Sequence, residues 1–249
     1  MDAEKNRQRV YWNGLADLAP ETSVIDPRDS RGDKNAYIAG IRDEVLTSAL
    51  AGKVDQSGLI LDFGCGTGSA TLALLQHGYR VIGVDLALSL LKHARQRCDP
   101  ERSLFAAMDG HILPVAKGAF DAAVIYVVLS YVVSDDKVLA LLKAIRSALK
   151  PGARIVAIEQ CRRRRHIVED GMKVHRTIGA WTELMAAAGF SELKARPIRS
   201  GRFPATSLIR IGLIPRSAWQ SLRTAERASG RIFGILPGDY AEVAFEGVA

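Results

Sequence analysis

Residues 59–69 read Leu-Ile-Leu-Asp-Phe-Gly-Cys-Gly-Thr-Gly-Ser, and Asp85 lies seventeen residues beyond Gly68. An apolar run of strand length enters a turn with glycine at every second position. Ala70 to His77 follows as a helix, Gly78 turns the chain, and Val81 to Asp85 reads as a second strand that ends in an acid. Strand, turn, helix and parallel strand form the unit of an open α/β sheet, in which ligands bind outside the carboxyl ends of the strands. Gly64, Gly66 and Gly68 carry no Cβ, so the turn can take dihedrals closed to other residues and let a ligand approach the main chain. The helix that follows points unpaired N–H groups at the same spot. An ionised Asp85 only accepts hydrogen bonds, which suits the two vicinal hydroxyls of a ribose.

The glycine spacing discriminates among nucleotide-type ligands. A dinucleotide fingerprint places glycine at the first, third and sixth positions, and the sixth position here is Ser69. A phosphate loop needs Gly-Lys-Ser/Thr, and no lysine is present. What remains is Asp62-x-Gly64-x-Gly66-x-Gly68, with an acid ahead of the first glycine. This pattern resembles motif I of the class I S-adenosylmethionine-dependent methyltransferases. Asp62 suits a cofactor that has no pyrophosphate and carries an ammonium and a sulfonium. Downstream, Asp109 after a third strand (Ser103 to Ala107), a fourth strand (Ala119 to Ile125), and Lys150-Pro151-Gly152 before a fifth (Arg154 to Glu159) extend the resemblance over roughly residues 57–190.

The resemblance implies a doubly wound, seven-stranded, mostly parallel sheet of Rossmann-like methyltransferase type, with the last strand antiparallel. It implies S-adenosyl-L-methionine as cofactor and S-adenosyl-L-homocysteine as product. Cofactor contacts are expected at Tyr11, Asp62, Gly64, Cys65, Gly66, Gly68, Asp85, Leu86, Met108, Asp109 and Tyr126. No catalytic metal is expected, because Asp135 and Asp136 read as first-turn acids that favour a helix dipole. A partner protein that binds the cofactor without turnover is the rival from another class.

At 249 residues the chain reads as one domain. Residues 1–56 form a helical N-terminal cap (helices over 5–18 and Lys34 to Leu50), 57–198 the cofactor core, 199–238 a helical insertion or lid, and 239–249 the last strand. Within the core, Asp135 to Leu149 and Thr177 to Ala188 carry apolar residues at helical spacing, and Phe190 to Ile198 reads as a strand. Tyr240 to Phe245 alternates as the last strand. In the insertion, Pro215 to Ser229 places Trp219 and Leu222 on one side and Arg216, Arg223 and Arg227 on another. Such a helix reads as core-packed with a solvated basic face, or else as a lid, a homodimer contact or a membrane-surface element.

Hydrophobic residues are 48% and charged residues 24% of the chain, ordinary for a globular protein, and no apolar run reaches the length that spans a bilayer. Three widely spaced cysteines, Cys65, Cys98 and Cys161, have no zinc spacing and point to reduced thiols, hence to a cytoplasmic protein that meets the inner membrane face only peripherally if at all. A formal net charge of +7 favours anionic partners without choosing among them.

Methyl transfer to a hydroxyl needs alignment and removal of a proton. The acceptor pocket is expected beyond the fourth and fifth strands. His175, Glu159 and Tyr131 are the candidates for catalysis there, with His111 and His166 also nearby in sequence. Tyr131 stands where many relatives carry a histidine, and an unperturbed tyrosine titrates near 10. Arg162, Arg163, Arg164 and Arg165 form a run beside the expected pocket, and guanidinium forks suit phosphate or carboxylate.

The fourth strand ends Ile125-Tyr126-Val127-Val128, without the Asn/Asp-Pro-Pro-Tyr/Phe of base amino-methylases, and no aromatic–basic interleaving marks a single-stranded nucleic-acid platform. A nucleic-acid acceptor is therefore not expected. The lead-in Tyr11-Trp12, Ser23-Val24-Ile25-Asp26-Pro27 and Asp33-Lys34-Asn35-Ala36-Tyr37-Ile38 resembles that of methyltransferases of bacterial surface-polysaccharide assembly, which puts Tyr11 and Lys34 near cofactor or substrate. The resulting expectation is O-methylation of a sugar hydroxyl, or an attached phosphate, on a cell-surface glycan or glycolipid. A small-molecule O-methyltransferase is the alternative.

Overall fold

The computed structural model describes residues 3–18, 25–109, 112–201, 203, 205–233 and 241–249. Strands β1 (Leu59–Phe63), β2 (Arg80–Asp85), β3 (Ser103–Ala107), β4 (Phe120–Tyr126), β5 (Leu149–Cys161), β8 (Ser191–Ser200) and β9 (Ala241–Val248) form one sheet in the order β3-β2-β1-β4-β5-β9-β8. Pairing is parallel from β3 through β5, whereas β9 runs antiparallel to both β5 and β8. This is the doubly wound, mostly parallel sheet expected. Strand order reverses at β1 and β4, so Phe63, Asp85 and Tyr126 end side by side at the switch point where an α/β sheet opens its ligand crevice. Tyr240, expected to begin the last strand, lies outside the described residues.

Both faces of the sheet are covered, which is why the central strands read as continuous apolar runs. On one face Ile60 and Val124 pack with Tyr37, Ile41 and Leu46 of helix α2 (Asp33–Leu50) and Leu74 of α3 (Ser69–Gln76). On the other, Leu61, Phe63 and Ile125 pack with Val138, Leu142 and Ile145 of α5 (Asp135–Ala148) and with Trp181 and Met185 of α6 (Ile178–Ala187). Thr177 caps α6, its hydroxyl accepting from the Ala180 N–H at 3.0 Å. Helix α1 (Ala3–Gly14) meets the start of α4 (Leu88–Arg97), the crossover between β2 and β3, where Ser89 donates to the Asn13 side chain.

Two features depart from the sequence reading. Residues after β5 form a hairpin, β6 (His166–Val168) and β7 (Lys173–His175), in place of an open loop. Each strand is only three residues long, too short for alternation to announce it. Second, the insertion holds α7 (Ala205–Arg210) and α8 (Trp219–Phe233), and Arg223 and Arg227 of α8 face the protein. Arg223 and Arg227 pair with Glu44 of α2, the former at 2.8 Å, and Arg216 pairs with Asp33 at 2.9 Å. Glu226, fully buried, accepts from the Tyr37 hydroxyl at 2.8 Å and lies 3.7 Å from Arg199. Of the basic face read as solvated, Arg223 and Arg227 are thus turned onto Glu44 of α2, whereas Arg216 stays largely exposed beside Asp33. Those acids sit on a helix whose own pattern reveals only its apolar side.

Candidate functional site

At the carboxyl ends of β1, β2 and β4 a cleft of about 290 Å³ opens. Asp62, Gly64, Cys65 and Gly66 form its floor, Asp85, Leu86 and Met108 one side, and Tyr126, Val127, Val128 and Tyr131 the other. The glycine turn folds as its residues require. Gly64, Gly66 and Gly68 have φ of 76°, 53° and 77°, in the left-handed region that glycine enters without strain. A Cβ on Gly64 would lie 2.2 Å from a methyl of Val128, so the turn and the opposite wall meet only because that atom is missing. Gly68 does not line the cleft; it packs behind it, where a Cβ would come within 2.9 Å of the Cys98 sulfur.

Asp85 ties the turn to β2. The Gly66 N–H donates to its Oδ2 at 2.9 Å and the Ala87 N–H to its Oδ1 at 2.8 Å. Each carboxylate oxygen has two acceptor sites, so acceptor capacity remains toward the cleft. Burial raises the Asp85 pKa, and the hydrogen bonds from Ala87 and Gly66 oppose it. Asp62, only 3% exposed, accepts from the Thr71 hydroxyl at 2.6 Å. Burial pushes its carboxyl up to about 6, against the hydrogen bond from Thr71 and the positive charge of Arg42.

Arg42 was not anticipated. It projects from α2 into the cleft, almost wholly buried, donates to Ser69 Oγ at 2.9 Å, pairs with Asp43 at 2.7 Å and lies 5.3 Å from the Tyr126 ring centre. Its signal was present: an arginine within the buried stripe Ile38, Ile41, Val45, Leu46 needs a partner or a ligand. Gln8 and Trp12 of α1 and Lys137 of α5 also line the cleft. Cys65 faces it, but burial raises the thiol pKa well above its ordinary value, which disfavours thiolate chemistry.

The expected catalytic residues are dispersed. Tyr131 lines the cleft, its ring edge-on to Trp12 at 4.8 Å and its hydroxyl accepting from Lys173 at 3.1 Å. Burial and the nearby Glu169 raise its pKa, so it is no base at neutral pH. Glu159 lies behind the wall, fully engaged. It accepts from the N–H groups of Val128, Leu129 and Ser130 at 3.1, 2.8 and 3.2 Å and from the Ser130 hydroxyl at 2.5 Å. Its carboxylate organises main chain, where a group that orients a hydroxyl or an imidazole was expected. His175 is on β7 and does not line the cleft; Arg162 Nε donates to its Nδ1 at 3.1 Å, which assigns the proton to Nε2, 3.2 Å from Gln160 Oε1. Burial and the charges of Lys173 and Arg162 depress its pKa to about 4. A base role for His175 has no support in this geometry.

Tyr11 is half-buried beside Trp12 but does not line the cleft, and burial raises its pKa. Asp109 is exposed and its carboxylate accepts from the Ile112 N–H at 2.7 Å; His111 lies outside the described residues. Of the arginine run, Arg162 is bonded to His175, and Arg165 donates to the Val133 carbonyl at 2.8 Å, next to cleft-lining Val132. Arg163 and Arg164 are exposed at the start of the hairpin, and His166 is exposed on β6. Lys34 pairs with Asp26, while Asn35 bonds to the carboxylate of Asp29 and the carbonyl of Asp26. Asp26, Lys34 and Asn35 of the lead-in therefore knot the start of α2 among themselves and with Asp29, and Ser23 and Val24 lie outside the described residues. Among the described residues no group of three or more His, Cys, Asp or Glu is placed to hold a metal ion, and no helix is long and apolar enough to cross a membrane.

Sheet order, switch-point cleft and glycine turn together define a Rossmann-like methyltransferase fold. Residues 60–152 match the family described as "Methyltransferase domain". The chain is 32% identical over 143 residues to a demethylmenaquinone methyltransferase of Paenarthrobacter aurescens (strain TC1), covering 57% of this chain and 52% of that protein. It is 29% identical over 120 residues to the 18S rRNA (guanine-N(7))-methyltransferase bud23 of Schizosaccharomyces pombe, covering 47% of this chain and 44% of that one. The chain spans about half the length of the curated relatives it matches. Its fold superposes with a TM-score of 0.69 on geranyl diphosphate C-methyltransferase from Streptomyces coelicolor A3(2), solved with Mg²⁺, geranyl diphosphate and S-adenosyl-L-homocysteine, at 20% identity and 100% and 99% coverage of the two chains.

Proposed function

We propose that the chain is an S-adenosylmethionine-dependent methyltransferase acting on an oxygen of an anionic, phosphate-bearing acceptor such as a surface glycan or its lipid-linked precursor. The observation that carries the cofactor is Asp85, held beside the Gly66 N–H at the switch point with acceptor capacity toward the cleft. Asp85 suits the ribose hydroxyls, Leu86 and Met108 the adenine, and the buried opposite charges Asp62 and Arg42 the ammonium and carboxylate of the methionine end. When bound, the cofactor supplies a methyl group on a positively charged sulfur. The chain's own residues align the acceptor within the cleft. Trp12, Tyr131, Val132 and Leu141 wall the side away from the glycine turn, and Gln8 and Lys137 supply its polar groups.

The anionic acceptor rests on Arg163 and Arg164, exposed on a hairpin whose neighbouring Arg165 is fastened to the cleft rim. Apolar walls also suit a small-molecule acceptor, the second reading. Calorimetry with S-adenosylmethionine and S-adenosylhomocysteine tests the cofactor, and no binding of either would refute the function. Transfer of labelled methyl into cell-envelope extract tests the acceptor. Phosphatase treatment of the extract, or replacement of Arg163 and Arg164 by Ala, should each reduce labelling several-fold. Labelling unaffected by both would replace the anionic glycan with the small-molecule reading.

A further inference from the structure

The wall formed by residues 127–133 has an improbable conformation. Val127, β-branched, sits at φ 53°, where such residues are rarely found, and a short 3₁₀ turn over Leu129–Tyr131 follows. Strain of this kind persists only where surroundings impose it. Two buried side chains from distant parts of the sequence impose it here. Glu159 takes the N–H groups of Val128, Leu129 and Ser130, three consecutive donors with no partner inside the turn. Arg176, 1% exposed, takes carbonyls of the same segment: those of Val132 at 2.8 Å, Val133 at 3.1 Å and Leu129 at 3.4 Å. Arg176 is itself anchored, bonding Asp135 Oδ1 at 2.8 Å and lying 4.8 Å from the Trp181 ring centre. The anion holds the donors and the cation holds the acceptors of one stretch of main chain. Val127, Val128, Tyr131 and Val132 of that stretch line the cleft.

We propose that Glu159 and Arg176 are positioning residues that hold the cleft wall 127–133 in its ligand-ready conformation before any ligand arrives. The inference rests on the methyltransferase reading only for the choice of probe, S-adenosylhomocysteine. Buried polar groups left half-satisfied are costly, so the pair leaves the segment one favourable arrangement. In Glu159→Gln an amide NH₂ replaces one acceptor oxygen and leaves at least one of the three N–H groups facing a donor.

Hydrogen exchange on the wild-type protein without ligand should show the amides of Val128, Leu129 and Ser130 protected to the same degree as those of β4. Fast exchange there that slows only when S-adenosylhomocysteine is added would overturn the proposal. Glu159→Gln should lose that local protection, keep protection in β1, β4 and β5, and bind S-adenosylhomocysteine at least ten-fold more weakly. Arg176→Lys, which keeps the charge but not the fork, should do the same to a smaller degree. Ser130→Ala, which removes one of four bonds to the same carboxylate, should stay within about three-fold of wild type. A folded Glu159→Gln with wild-type affinity would also overturn the proposal. Should Glu159→Gln fail to fold, the wild-type exchange pattern decides. A wild type that does not bind S-adenosylhomocysteine would refute the functional reading while leaving the exchange result to judge the wall.

Discussion

The Gly66 N–H donates to Asp85 Oδ2 at 2.9 Å, so the turn after the first strand is tied to the end of the second. One carboxylate thereby shapes the cofactor loop and presents acceptor sites to the cleft. Asp85→Ala removes both roles. Hydrogen bonds to a charged group contribute about 1.5–3 kcal/mol each. Affinity for S-adenosylmethionine and S-adenosylhomocysteine alike should fall at least a hundred-fold in calorimetry. Unchanged affinity would refute the site.

Gly64 faces Val128 across the cleft floor, with no room for a Cβ. Gly64→Ala should therefore lower stability through left-handed backbone strain of about 1–3 kcal/mol, with the steric overlap in addition. Adding Val128→Ala should recover the overlap but not the strain. Thermal melts of the single and double variants read this as non-additivity, and strictly additive losses would show that the two residues do not meet.

Asp62 titrates near 6 in the unliganded protein because burial disfavours its charge. A cationic ligand end favours the ionised form, so binding below that pH must displace a proton. Affinity for S-adenosylmethionine should fall as pH drops from 6, approaching about ten-fold per unit. Burial raises the Asp85 carboxyl in the same cleft as well. Asp62→Asn should weaken binding at pH 7.5 and flatten the slope. An unaltered slope would refute Asp62 as the group that gives up the proton.

His175 is held neutral, its pKa depressed to about 4. The unfolded chain takes up that proton near pH 6.5, whereas the folded chain does so only near 4. Stability contributed by this site is therefore present above 6.5 and lost as pH falls toward 4. His175→Gln should reduce the acid-side loss in melting temperature and leave S-adenosylhomocysteine affinity within about two-fold. A large loss of affinity in a folded variant would bring His175 back to the cleft.

The sheet and cofactor turn were legible because their determinants are local. An apolar strand, a glycine spacing and an acid at a fixed distance act through nearest neighbours, and Asp62, Gly64, Gly66 and Asp85 do meet in one cleft. The readings of Glu159 and His175 went astray for the opposite reason. Position at or beyond the end of the fifth strand says that a side chain is near the carboxyl end of that strand, not which of its neighbours it meets. Glu159 turns to the amides of 128–130, and His175 is drawn into a hairpin by Arg162.

The amino-acid order by itself determined the strand–turn–helix–strand unit, its glycine turn and the acid that ends its second strand, since hydrophobic period and backbone freedom are properties of short segments. Only the tertiary structure decided which charges line the cleft and which are buried elsewhere. Arg42 enters the cleft from α2, whereas Arg176 grips the wall from behind and Arg223 and Arg227 turn to Glu44. A charge is committed by whichever opposite charge or unpaired backbone group the fold brings within about 3 Å, and no periodicity along the chain encodes that distance.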